Sequence, residues 1–328
     1  MEPPCGQSIV KCEKQKDDGR METQKRQQNE KEKAERRMKI VAGLGSVDEY
    51  IPYVQAGADE LFCGYVPYNW TKKYGTVLPL NRREVLAYNV QLGSFSELEI
   101  LSAMIRKYRK PVHIAMNSLY YIPEQYEEIA DIVKQCMKIG FDSFILADPA
   151  LVLYLRQKGI SCKIHLSGEV GEMNREAIKV FREMGIGRII FHRKNTVASM
   201  RQMIEAVNVE KLEFEAFALN ELCQFTGAFC NSLHCDEMGY LCRTTYWGDA
   251  EMEERMERVI KRTLEIEEKQ YLCGKSGCAL CALPQLEAAG ITHLKLVGRG
   301  NYVEDMIRDI RNLKAALGVL EENQREEK

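Results

Sequence analysis

From Lys39 onward, short apolar runs alternate with longer stretches whose apolar residues recur every three or four positions. The short runs end in glycine or in polar residues, as buried strands do. They predict eight strands, over 39–42, 60–64, 112–116, 143–147, 163–166, 188–191, 212–217 and 293–297. Helical patterns fall between them. One covers 47–55 and stops at Gly57. Another carries Leu98, Leu101 and Ile105, opens on Ser94 and Glu97 at capping-box spacing and closes before Pro111. Asn81 and Glu84 repeat that spacing. Ile129, Ile132, Val133 and Cys136 mark a further helix, and Val303, Ile307, Ile310 and Leu313 a closing one over 302–320.

Eight strands in alternation with helices predict an α/β fold, a TIM-type (β/α)8 barrel over 38–320, with a cysteine-rich insertion between strands seven and eight. The rival is an open, doubly wound sheet. Gly43-Leu44-Gly45 lacks the third glycine of a dinucleotide-binding turn, which favours the barrel. Residues 1–37 are dominated by Glu, Lys, Gln and Arg and are expected to be a disordered tail, as are 321–328.

Composition narrows the function classes. Of 328 residues, 45% are hydrophobic, enough for a large core; the net charge of −2 supplies no bulk positive field for nucleic acid, DNA included, and leaves room only for a local basic patch. No apolar run reaches the roughly 18 residues of a membrane helix, and the N-terminus has no apolar signal segment, so the expectation is a cytoplasmic protein. In that reducing compartment twelve cysteines are not a disulfide framework. Seven of them lie between 223 and 281, just after the seventh strand, and this clustering points to a soft metal. Cys63, Cys136 and Cys162 stand in apolar runs and read as core. Four thiolates suit either an iron–sulfur cluster or zinc; only Cys278 and Cys281 have the tight C-x2-C spacing usual for zinc. A site without metal remains the third reading.

In a barrel, chemistry gathers where strands run into the loops that follow them. Those ends carry Gly64, Asn117, Asp148, Ser167 with Glu169, His192 with Arg193, and Arg299. Glu213 and Glu215 are read as pointing to opposite faces of strand seven, so that one of them meets the barrel interior. Arg299 can fork onto a carboxylate or phosphate, or pair with Glu215 across the barrel. Asp148-Pro149 is either a helix cap or a ligand contact. His165 and His192 read as satisfied hydrogen-bonders. Tyr65, Tyr68 and Trp70 either stack on a flat ligand or close the core. Neither G-x-S-x-G nor H-E-x-x-H occurs.

Several motifs together resemble one family. Residues 56–64 (AGADELFCG), 111–117 (PVHIAMN), 141–148 (FDSFILAD) and 165–169 (HLSGE) are similar to its successive strand ends. Glu215-Ala-Phe217 with Cys223 and Cys230, then Cys242-Arg243 with Tyr246, resemble its signature, and 284–299 (PQLEAAGITHLKLVGR) resembles its last conserved-looking block. The chain is thereby similar to the collagenase-like peptidases, peptidase family U32. The resemblance implies a 4Fe-4S cluster on Cys223, Cys230, Cys242 and Cys278, with zinc as the alternative. It implies an oxygen-independent hydroxylase-type reaction on an RNA base or small aromatic compound, and it allows a partner subunit of the same family. The alternatives are a peptidase, as the family name says, and a non-catalytic iron–sulfur or zinc protein. On this reading Glu215 and Arg299 are the catalytic candidates. Asn117, Asp148, Glu169, Arg193, Arg243 and Lys295 are the substrate-binding ones. Asn220-Glu221, Gly168-Glu169 and 192–194 (HRK) depart from the family pattern.

Overall fold

The computed structural model of the chain describes residues 37–75, 77–82, 90–171, 173–207, 212–219, 254, 257–258 and 278–326. The chain divides into two units, 1–38 and 39–328; the first is almost wholly outside the described residues, and with it the expected tail. In the second, eight parallel strands close on themselves in sequence order. They are β1 (Lys39–Leu44), β2 (Glu60–Gly64), β3 (Val112–Met116), β4 (Ser143–Leu146), β5 (Lys163–Leu166), β6 (Arg188–Ile190), β7 (Glu213–Leu219) and β8 (His293–Leu296). Pairing of β1 with β8 (Val41 opposite Lys295) completes the ring, so the doubly wound alternative is excluded.

The helices follow their sequence signals. They are α1 (Tyr50–Ala56), α2 (Tyr68–Tyr74), α3 (Phe95–Tyr108), α4 (Pro123–Lys138), α5 (Pro149–Gln157), α6 (Arg175–Glu183), α7 (Val197–Val207), α8 (Leu283–Ala288) and α9 (Val303–Glu326). Ser94 and Glu97 form the full capping box at the start of α3. In α4 the expected stripe of Ile129, Ile132, Val133 and Cys136 is the buried face. Two details differ. The closing helix runs on to Glu326 through helix-forming polar residues with no glycine or proline to stop it. Its core stripe is Met306, Ile310, Leu313 and Leu317, one register away from Val303 and Ile307 at its start. The helix start expected at Asn81 with Glu84 falls partly in 83–89, outside the described residues.

Inside the barrel the side chains form three levels. An apolar layer of Val41, Phe62, Ala115, Ile145, Ile190 and Phe217 crosses the middle. Toward the strand starts lies a buried ionic cluster around Arg188, which reaches Glu60 at 2.8 Å, Glu213 at 2.7 Å and Glu215 at 3.0 Å. Toward the strand ends the barrel opens into a polar pocket. Charges this deep persist only because each is paired within the layer.

Candidate active site

The pocket is lined by Phe62, Arg82, Asn117, Ser167, Glu169, Arg193, Lys295 and Arg299, with the apolar layer as its floor. They come from five of the eight strands and the segments that follow them: β2, β3, β5, β6 and β8. Glu169 anchors the cationic wall: Oε1 accepts from Arg193 Nη1 at 3.0 Å, and Oε2 is ion-paired with Arg82, 3.0 Å from its Nε. Arg193 also lies over the Phe217 ring, 4.4 Å from its centre. Asn117 Oδ1 accepts from the Arg82 backbone N–H, and its Nδ2 donates to Ser167 Oγ. Lys295 sits 3.8 Å over the centre of Phe62 and donates to Glu215 Oε1 at 2.8 Å. Burial pulls the Lys295 ammonium below the ordinary lysine range, against the opposing charge of Glu215.

Arg299 enters between two glycines. A methyl group on Gly64 would stand 2.7 Å from Arg299 Nη1, and one on Gly43 would stand 3.3 Å from its Cγ. Both positions are kept clear for the guanidinium. Its expected pairing with Glu215 does not occur, because Glu215 is occupied by Arg188 and Lys295.

Glu215 does not line the pocket. It lies beneath it, fully buried, between those two cations. Burial alone would raise its pKa, but the charges of Lys295 and Arg188 outweigh burial and bring it down to about 2. The expectation that Glu213 and Glu215 point to opposite faces is corrected: both reach Arg188. Residues two apart on a strand share a face. Only Glu215 is buried, because Glu213 stands at the open start of β7.

Asp148 is a helix cap: Oδ1 accepts from the Ala150 N–H at 2.8 Å and Oδ2 from Tyr126 Oη at 2.8 Å. It does not line the pocket. His192 is buried and Nδ1 accepts from the Lys194 N–H. His165 is not a satisfied hydrogen-bonder; its buried Nδ1 has no partner, and its ring packs on His113 with centres 4.5 Å apart. Trp70 closes the core against Tyr74, while Tyr68 is exposed. Cys63, Cys136 and Cys162 are free and buried, as expected. Burial pushes the Cys63 and Cys136 thiols up to about 12, so neither is a nucleophile at neutral pH.

Of the expected metal ligands only Cys278 is among the described residues; Cys223, Cys230, Cys242 and the pocket candidate Arg243 lie outside them. Cys278 is placed against the end of β7. It forms an isolated antiparallel bridge with Leu219, and the Ala279 N–H donates to Ala218 O at 2.9 Å. The β7–β8 register slips between Phe217 and Leu219 at the same point, an irregularity that redirects the strand end. Cys223 follows Leu219 by four positions in the sequence. The Cys278 thiol at this strand end is half-buried and free. Among the described residues no group of three or more His, Cys, Asp or Glu is placed to hold a metal ion.

Sequence reasoning missed Arg82, Phe62, Phe217 and Arg188. Arg82 sits in a long connection with no periodic signal, and the two phenylalanines look like ordinary strand residues. Arg188 did carry a signal, a cation opening an apolar strand.

Residues 45–328 match the model of peptidase family U32. The tRNA hydroxylation protein P1 of Bacillus subtilis (strain 168) is 21% identical over 265 residues, covering 79% of this chain and 58% of that protein. The tRNA hydroxylation protein P of Escherichia coli (strain K12) is 26% identical over 175 residues, covering 53% of this chain and 34% of that protein. The chain thus spans about half the length of the curated relatives it matches, or less. A solved structure of the U32 peptidase Mk0906 aligns with a TM-score of 0.48 and 11% identity over 80% of this chain and 94% of that one. With the family model matched over residues 45–328, the chain belongs to peptidase family U32.

Proposed function

We propose that this chain is an iron–sulfur-dependent RNA-modifying enzyme of the hydroxylase type, working in the cytoplasm. The observation that carries the reading is the pocket wall. Arg82, Arg193, Lys295 and Arg299 face a single lining carboxylate, Glu169, among the described residues. Such a wall binds an anion, and Phe62 and Phe217 give a planar group two apolar faces. Arg299 and Lys295 hold the anionic group. Glu215, which does not itself line the pocket, acts as a positioning residue that keeps the Lys295 ammonium over Phe62. Cys223, Cys230, Cys242 and Cys278 would hold a 4Fe-4S cluster, which supplies one-electron chemistry beside the pocket. The names of the relatives, tRNA hydroxylation proteins, support an RNA substrate. A partner subunit of the same family would complete a longer assembly.

The peptidase reading is weaker for a geometric reason. The described residues do contain a serine–histidine–glutamate chain, with His113 Nδ1 on Ser143 Oγ and His113 Nε2 on Glu60 at 2.9 Å. All three are buried on the far side of the apolar layer, where no peptide reaches them. A protease needs its nucleophile at the substrate.

The test is purification without oxygen, metal analysis and EPR, and mass spectrometry of tRNA from cells with and without the gene. Iron and an EPR signal lost in Cys278→Ser but kept in Cys136→Ser are expected, with a tRNA mass shift lost in Arg299→Ala. Stoichiometric zinc, or peptide cleavage unchanged by Cys223→Ser, overturns the reading.

A further inference from the structure

An exposed tyrosine alone needs no explanation. Here, however, the exposed aromatic residues among the described ones are Tyr68, Tyr120 and Tyr302, at 76%, 64% and 81% exposure. None lies at the strand starts; Tyr68 opens α2, and Tyr120 and Tyr302 stand in connections between elements. Tyr68 follows β2, Tyr120 follows β3 and Tyr302 follows β8, all on the face that opens into the pocket. The strands β8, β1, β2 and β3 are consecutive neighbours in the barrel, so the three rings share one arc of the rim.

Each ring is tied closely to the pocket. Tyr120 is three residues beyond Asn117 and Tyr302 three beyond Arg299, both in the lining. Tyr68 is four residues beyond Gly64, against which Arg299 lies. At an extended 3.3–3.6 Å per residue, every ring is rooted within roughly 14 Å of the pocket wall. The arc is also built firmly. Lys73 and Tyr74 of α2 both bond Glu128 of α4, at 2.9 and 3.0 Å. Tyr121 Oη donates to Leu80 O at 2.6 Å, which locks the loop after β3 to the connection after β2. A tyrosine has only two side-chain torsions, so it loses little entropy when something stacks on it.

From this arrangement we infer that Tyr68, Tyr120 and Tyr302 form a stacking platform for unpaired bases of an RNA, whose strand then runs into the cationic pocket. The inference rests on the RNA reading above and adds how the RNA is held. Aromatic rings beside a cationic channel are the pairing that single-stranded nucleic acid requires, one for bases and the other for phosphates. The adjoining lining, four cations to one carboxylate, favours this polyanion over an apolar protein surface.

The experiment is fluorescence anisotropy of the full chain with a labelled, unmodified tRNA transcript, a short single-stranded RNA and a duplex of equal length, at one salt concentration. The variants are Tyr68→Ala/Tyr120→Ala/Tyr302→Ala together and the corresponding triple Phe variant. Stacking is expected to make single-stranded RNA bind more tightly than duplex. The triple Ala variant should bind at least about tenfold more weakly, and the triple Phe variant should keep wild-type affinity. If the triple Ala variant does not fold, the single variants carry the test, each with a severalfold loss. Unchanged affinity in the Ala variants, equal losses in the Ala and Phe variants, or duplex bound as well as single strand overturns the inference. So does light scattering that shows the wild type paired with itself and the triple Ala variant monomeric at unchanged RNA affinity. RNA modified normally by the triple Ala variant sinks the platform but not the enzyme. Tyrosine-dependent RNA binding without any modification sinks the enzyme but not the platform.

Discussion

At the scale of single residues, the pocket depends as much on missing side chains as on present ones. Gly64 offers Arg299 a passage that a methyl group would block at 2.7 Å from Nη1 and 3.0 Å from Asn81 Nδ2. The guanidinium is the far end of a flexible side chain, so Gly64→Ala displaces it at small cost to the fold. The expected outcome is a melting temperature within a few degrees of wild type. Ligand affinity should fall about tenfold, the worth of one charge-assisted hydrogen bond. Calorimetric titration of an anionic ligand found with the purified protein, beside a thermal melt, reads both; a large loss of stability with unchanged affinity would contradict this account of the glycine. None of this was legible in the sequence, where Gly64 is simply the polar end of an apolar run. Arg299 was legible, since a cation directly after the last strand stands where barrels do chemistry.

At the scale of elements, local signals largely decided the outcome. The capping box at Ser94 and Glu97, Gly57 as a left-handed helix end and Asp148 as the cap of α5 follow from residue chemistry alone. One end departs from it. Helix α3 closes on Arg109 at φ 59, the one non-glycine residue at positive φ among those described. A side chain there costs roughly 1–2 kcal/mol relative to its relaxed conformation. Arg109→Gly should therefore raise stability by about 1 kcal/mol, read as a higher urea midpoint with an unchanged slope. A lower midpoint would mean that the arginine side chain makes up for its backbone.

At the scale of the whole molecule, a charged cluster lies in a barrel interior that usually holds branched apolar chains. Its protonation sets the acid limit of the fold. Burial alone would raise the Glu60 carboxyl, but hydrogen bonds from His113 and His293 and the charge of Arg188 hold it far below its usual range. Glu215 is held at about 2 against an ordinary 4.5. Burial lowers His113, and His165 further still, so both stay neutral at pH values where the unfolded chain protonates its histidines. Both kinds of shift act in one direction. The stability that these carboxylates and histidines supply is complete above the ordinary histidine value of 6.5, declines as pH falls below it, and declines again from 4.5 toward 2 as the carboxylates protonate. Glu215→Gln is expected to cost about 3 kcal/mol at neutral pH, because it uncouples Arg188 and Lys295. The gap between variant and wild type should narrow between pH 4.5 and 2, followed by urea unfolding at stepped pH. A gap constant over that range would exclude Glu215 as the titrating group.

The order of strands and helices, and hence the barrel, was determined by the chain itself. Apolar runs of four to six residues bounded by glycine and polar ends have few other ways to bury both faces. The strand-end positions of Asn117, Glu169, Arg193, Lys295 and Arg299 came with that pattern. Tertiary structure decided which of those groups meet. Glu169 joins Arg82, from a connection with no pattern of its own, to Arg193 across the mouth. Glu215 is taken by Arg188 and Lys295 below the pocket, leaving Arg299 above it. Strand periodicity gives the face a residue points to; only closure of the barrel sets which residues share a level, because the stagger between strands is a property of the whole ring.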